Sequence, residues 1–211
     1  MKTDDLIRSL SVDEKSRWRV GNLLTATLLA AVPVSVILFF TEMGIRPDIA
    51  TAVENPLFDL KFAVTISIAL SAVAMSLHLS RPEASPKGML LLLAIPIALL
   101  AGGIVYELMQ PQRVGWATRM IGTNSRMCLT AIPVMSLPLL AAALVALRHG
   151  APSRPAMAGA FAGLLSGGLA ATLYAAHCTD DSPLFVALWY SLAIGLVAAV
   201  GAVAGWRILK F

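Results

Sequence analysis

Six apolar runs, residues 20–41, 60–80, 89–109, 128–147, 156–176 and 184–206, leave this chain very few folds to choose from. Each approaches or exceeds the roughly 20 residues that a helix needs to cross about 30 Å of hydrocarbon. A backbone in lipid must satisfy its own N–H and C=O groups. Such runs are therefore helices, since strands would need a closed barrel and faces that alternate in polarity. The expected fold class is all-α: an integral membrane bundle of six transmembrane helices. At 58% hydrophobic and 13% charged residues, the chain lies far from the soluble norm of about 45–50% apolar and about 25% charged. Pro33, Pro96, Pro133 and Pro138 fall inside runs, which predicts kinks, sharpest in the fourth. No cleavable signal peptide is expected, because a mixed-charge stretch precedes a first run long enough to span.

Orientation follows from the basic residues. Residues 1–19, the connections 81–88 and 148–155 and the tail 207–211 carry eleven Lys and Arg. The opposite side carries five: Arg46, Lys61, Arg113, Arg119 and Arg126. The positive-inside bias then predicts both termini cytoplasmic, with residues 42–59, 110–127 and 177–183 as outer loops. Basic residues so distributed set topology, so the formal charge of +4 is no sign of nucleic-acid binding, and none is expected. The lipid bilayer is the immediate partner.

Residues 1–19 read as a cytoplasmic segment ahead of a six-helix domain, 20–211. Leu6, Ile7 and Leu10 share one helical face, Thr3 is placed to cap, and Asp4 and Asp5 suit a first turn. Lys15, Arg17, Trp18 and Arg19 make a basic, aromatic collar at the first span. Isolated helices below about 12–15 residues rarely hold in water, so this one would order on a partner. In the fifth run Gly159, Gly163 and Gly167 recur every fourth residue, a small-residue stripe that lets helix backbones approach. Cys178 follows Gly167 by about three turns and so falls near the same face. The plainer reading is that glycine is common in membrane helices.

The two cysteines, Cys128 and Cys178, come out at the same outer edge. In a Gram-negative host that edge faces an oxidising compartment. A disulfide there would join the entry of the fourth span to the exit of the fifth, worth at most about 4 kcal/mol by loop entropy. Equally, each cysteine is a small apolar filler. His177 with Cys178, Cys128 and Asp180 or Asp181 offers thiolates and imidazole to a soft metal ion, while a lone His beside a Cys is more often structural. No resident cofactor is expected beyond a transient heavy-metal ion. There is no HExxH, no Gly-rich phosphate loop and no GxSxG, so no enzyme is expected. Glu107, at an outer end beside Tyr106, is expected to be wetted, and the spans carry no mid-membrane ionisable group of the kind transporters use. A small metal exporter or a thiol-redox membrane protein stay open as alternatives.

The ordered set Cys128-Leu-Thr-Ala-Ile-Pro133, Ser136-Leu-Pro138, Gly150-Ala-Pro152, Gly159/Gly163/Gly167, Tyr174-Ala-Ala-His177-Cys178-Thr-Asp-Asp and Trp189-Tyr190 resembles the negative regulator of sigma F family. These are six-span bacterial membrane anti-sigma factors. The resemblance covers essentially the whole chain and is densest from Cys128 to Tyr190. It implies an inner-membrane protein that holds an extracytoplasmic-function sigma factor on its cytoplasmic face. It also implies release on heavy-metal or oxidative stress, acting through Cys128 and Cys178 on the periplasmic side. Asp4, Asp5, Leu6, Ile7 and Leu10 then suit a helix-in-groove contact with that basic partner.

Overall fold

The structure, a computed structural model, describes residues 20–80, 88–110, 115–150 and 152–210; the expectations for residues 1–19 lie outside them. Among the described residues six helices are long and apolar enough to cross a membrane, and no strand forms. In chain order the elements are α1 (Val20–Glu42), a single turn α2 (Ile49–Ala52) and α3 (Pro56–Leu79). Then come α4 (Ala94–Met109), entered through the 3-10 turn Met89–Leu93, and the short α5 (Trp116–Ile121). The last three are α6 (Ser125–Leu147), α7 (Pro155–Ala175) and α8 (Ser191–Ile208). The chain enters α8 through Pro183–Phe185 and a π-helical turn, Val186–Tyr190.

Local chemistry sets the helix starts. Pro56, Pro155 and Pro183 occupy first-turn positions, where a backbone N–H has no helical partner to lose. Asn55 Oδ1 accepts from the Leu57 N–H at 3.1 Å, and Ser182 Oγ from the Leu184 N–H at 3.2 Å, satisfying donors that a helix start leaves bare. Pro33 lies within α1 and Pro133 and Pro138 within α6. Pro96 falls in the first turn of α4 instead of mid-span, so the expected break in the third run has no bond to break. Between the two α6 prolines, the Met135 carbonyl accepts from the buried Ser35 hydroxyl of α1 at 2.9 Å.

α7 is the hub, packed against α1, α3, α6 and most extensively α8. The glycines make that last contact possible. A Cβ on Gly159 would overlap the Gly201 carbonyl oxygen and lie 2.7 Å from Gly205 Cα. One on Gly163 would lie 2.5 Å from the Val197 oxygen, and one on Gly167 3.3 Å from Ile194 Cα. The stripe thus faces α8, backbone against backbone. Gly168, turned a helical step away, meets the α3 backbone at Ala69 N, 3.0 Å from where its Cβ would sit.

The buried side chains fall into two clusters. One gathers Leu24, Leu79, Leu147, Ala158 and Leu209, with Val20 against it, and so holds the start of α1 and the end of α8. The other gathers Phe39, Cys128, Tyr174, Cys178, Phe185 and Tyr190. The helices alternate in direction, so the two clusters occupy opposite ends of the bundle.

Candidate functional site at the cysteine-bearing rim

Cys128 sits in the first turn of α6 and Cys178 three residues past α7, and both thiols are free and fully buried. They share one apolar cluster with Tyr174, Phe185 and Tyr190. The Tyr174 and Tyr190 rings lie 5.7 Å apart. The Cys178 thiol donates weakly to the Asp180 carbonyl at 3.8 Å. Burial pushes the Cys178 thiol up from its ordinary value, with the Lys61 ammonium the main influence pulling it back. A thiol in that setting is protonated and unreactive until it is exposed.

The connection from His177 to Ser182 carries Cys178, and nearly every residue in it is engaged. A ring nitrogen of His177, Nδ1, lies 3.0 Å from the Gly44 carbonyl oxygen. The Cys178 carbonyl accepts from Lys61 Nζ at 2.9 Å and Arg46 Nη1 at 3.2 Å. Thr179 Oγ1 accepts from Asn124 Nδ2 at 3.0 Å. The Asp180 carboxylate accepts from the Asn124 N–H at 2.8 Å, from Asn124 Nδ2 at 2.9 Å and from the Thr123 N–H at 3.0 Å. Asp181 Oδ1 lies 2.6 Å from Lys61 Nζ and 2.9 Å from Arg46 Nη1. The Ser182 hydroxyl donates to Glu107 at 2.7 Å.

Two cations of this rim, Arg46 and Lys61, have side chains only 5% and 1% exposed. Buried charge is tolerated only when paired. Arg46 is forked between Asp48, at 2.7 Å from both Nε and Nη2, and Asp181. Its hydrogen bonds hold the Asp48 carboxyl down to about 2, and Asp48 in turn raises the guanidinium above its usual range. The Phe58 ring faces both cations, its centroid 5.6 Å from Arg46 Cζ and 5.1 Å from Lys61 Nζ.

Residues 110–127, expected as an outer loop, include the short helix α5. Its Arg119 pairs with Glu107, which is fully buried and not wetted as expected. The correction has a simple cause: Glu107 also accepts from Ser182 Oγ and the Leu184 N–H, so the loop ahead of α8 covers it. α5 ends at Gly122 with φ 61°. There a Cβ would overlap the Phe185 ring and lie 2.8 Å from Asp180 Cγ. The Met120 carbonyl accepts from Trp189 Nε1 at 3.0 Å. These contacts fold α5 over the entry to α8.

The structure therefore brings Cys128, His177, Cys178, Asp180 and Asp181 to one rim but gives them separate partners. Among the described residues no three His, Cys, Asp or Glu side chains are grouped to hold a metal ion. Gly159, Gly163 and Gly167 lie on the α8 contact. Asp4, Asp5, Leu6, Ile7 and Leu10 lie outside the described residues. Sequence reasoning missed Arg46, Lys61, Glu107 and Arg119 as parts of the site. Their signal was a charge beside or inside an apolar run, which in lipid asks for a partner.

Comparison with known proteins gives the family of the sequence. Residues 10–211 match the family described as Negative regulator of sigma F. The chain is 34% identical over 209 residues to the anti-sigma-F factor NrsF of Caulobacter vibrioides, covering 98% of this chain and 96% of that protein. It is 29% identical over 216 residues to the probable anti-sigma-F factor NrsF of Azospira oryzae, covering both chains in full. No solved structure matches it. On a match that runs through all six long helices, the chain belongs to the negative regulator of sigma F family.

Proposed function

We propose that this protein is a membrane-embedded anti-sigma factor that sequesters an extracytoplasmic-function sigma factor and releases it on heavy-metal or oxidative stress. The observation that carries the first half is the family match over residues 10–211, with a curated relative named an anti-sigma-F factor. The sensing half rests on Cys128 and Cys178, both in one buried cluster at one end of the bundle. The chain's entry into α1 lies in the other cluster. With the termini in the cytoplasm, as the distribution of Lys and Arg favours, the cysteines face the periplasm and the segment with Asp4, Asp5, Leu6, Ile7 and Leu10 faces the client. Modification of the thiols then shifts α6 and α7, and the grip on the sigma factor loosens.

Replacing both cysteines by serine tests the sensing: the sigma-dependent genes should lose their response to metal and oxidant. A normal response in the double variant rejects it. Co-purification tests the grip. A sigma factor should come down with the full chain and be lost when residues 1–12 are deleted, and equal recovery rejects the N-terminal contact.

A further inference from the structure

We infer that the adjacent aspartates Asp180 and Asp181 form a two-pronged latch that keeps the thiols shut away and sets how readily they are reached. The inference rests on the reading above only for its biological use. Its geometry stands alone. Asp181 ties the Cys178 connection to the α1–α3 side of the rim through Arg46 and Lys61, and both cations also hold the Cys178 carbonyl. Asp180 ties the same connection to the opposite side, at Thr123 and Asn124, one helical turn ahead of Cys128. The two prongs pull from different elements, so Cys178 leaves its buried cluster only when one of them lets go.

The charges make the prongs unequal. The Asp181 site holds two cations, Arg46 and Lys61, and two carboxylates, Asp48 and Asp181, and among the described residues no other ion pair joins them. Removing the Asp181 charge leaves Lys61, 1% exposed, with no carboxylate in direct contact among the described residues, beside an Arg46 that keeps only the half-exposed Asp48. A buried cation so stranded is expensive, and it is relieved by swinging out into water. That motion also drops both hydrogen bonds to the Cys178 carbonyl. The Asp180 prong is made of neutral donors, so losing its charge weakens bonds without stranding an ion. Asp181 is therefore the stronger control point.

The experiment is maleimide labelling of the full chain in lipid nanodiscs, with Cys128 and Cys178 followed separately by peptide mass. The wild type should label slowly. Asp181→Asn should label at Cys178 at least about tenfold faster, and Asp180→Asn should fall between. Asp59→Asn, at an exposed position on the same rim, should behave as wild type. Asp181→Glu restores the anion and should restore slow labelling, which separates latch release from general misfolding. Wild-type rates in Asp181→Asn would overturn the latch, as would equally fast labelling in Asp181→Glu. Labelling of purified protein reads the latch alone. If Asp181→Asn opens the rim while the double serine variant still senses stress, the latch stands and the thiol-sensing reading falls.

Discussion

Replacing Gly159 by alanine should push α7 and α8 apart, and the size of the effect follows from what the added carbon would strike. In an ordinary helix interior, Gly→Ala stabilises by about 0.5–1 kcal/mol, because alanine has less backbone freedom to lose. Gly195 in α8 and Gly102 in α4 have open space where a Cβ would go, so alanine there should be neutral or mildly stabilising. At Gly159 the same carbon overlaps the Gly201 carbonyl oxygen and lies 2.7 Å from Gly205 Cα. Both obstacles are backbone, and neither can rotate away. The helices must separate, and the contacts along the seam weaken together. Overpacking of this kind costs about 1–3 kcal/mol, and more where nothing can give. Reversible unfolding in bicelles, with Gly159→Ala, Gly195→Ala and wild type side by side, reads the difference. Equal stability of the two alanine variants would refute the claim that backbone contact holds α7 to α8.

Further tests address the rim and the bundle. Glu107→Gln removes the carboxylate that Arg119 pairs with at a fully buried position. It should lower unfolding stability by about 3 kcal/mol, measured in the same bicelle assay, and an unchanged midpoint would show the pair to be idle. Ser35→Ala removes the hydrogen bond to the Met135 carbonyl and should cost about 1 kcal/mol. Because burial raises the Cys178 thiol in the folded chain, the unfolded chain releases that proton first, near its ordinary value of about 8.5. The neutral thiol's contribution is therefore complete below that pH and declines as pH rises above it. Cys178→Ser should flatten part of that decline in a pH series of unfolding midpoints.

The spans were legible because lipid imposes one rule on every residue of a run, and a rule that local can be read locally. The helix bounds differ from the apolar runs mainly at starts: α3 begins at Pro56 rather than residue 60, since Asn55 caps and Pro56 opens a first turn in which Asp59 interrupts the apolar run. The glycine spacing in α7 likewise carried its meaning in four-residue steps. What escaped was set by distance along the chain. Arg46 and Asp181 are 135 residues apart and Ser182 and Glu107 are 75 apart, and no periodicity links such pairs. α5 was hidden because a six-residue helix between Gly115 and Gly122 has too few turns to show a pattern. Cys128 and Cys178 were assigned to one end by counting spans; that they share a cluster with Tyr174 and Tyr190 depends on packing between α6, α7 and α8.

The glycine seam has a mechanical consequence. Where two helices interdigitate large side chains, axial displacement means climbing over each knob. Between Gly159 and Gly163 on one helix and Gly201 and Gly205 on the other, main chain rests on main chain. Such a joint fixes lengthwise register as well as spacing, because a shift along the axis would bring Cβ-bearing neighbours against a main chain that only the glycines clear. Because α7 contributes Ala158 to the far cluster and Tyr174 to the cysteine cluster, α7 and α8 keyed together make one stiff pair that spans from one cluster to the other.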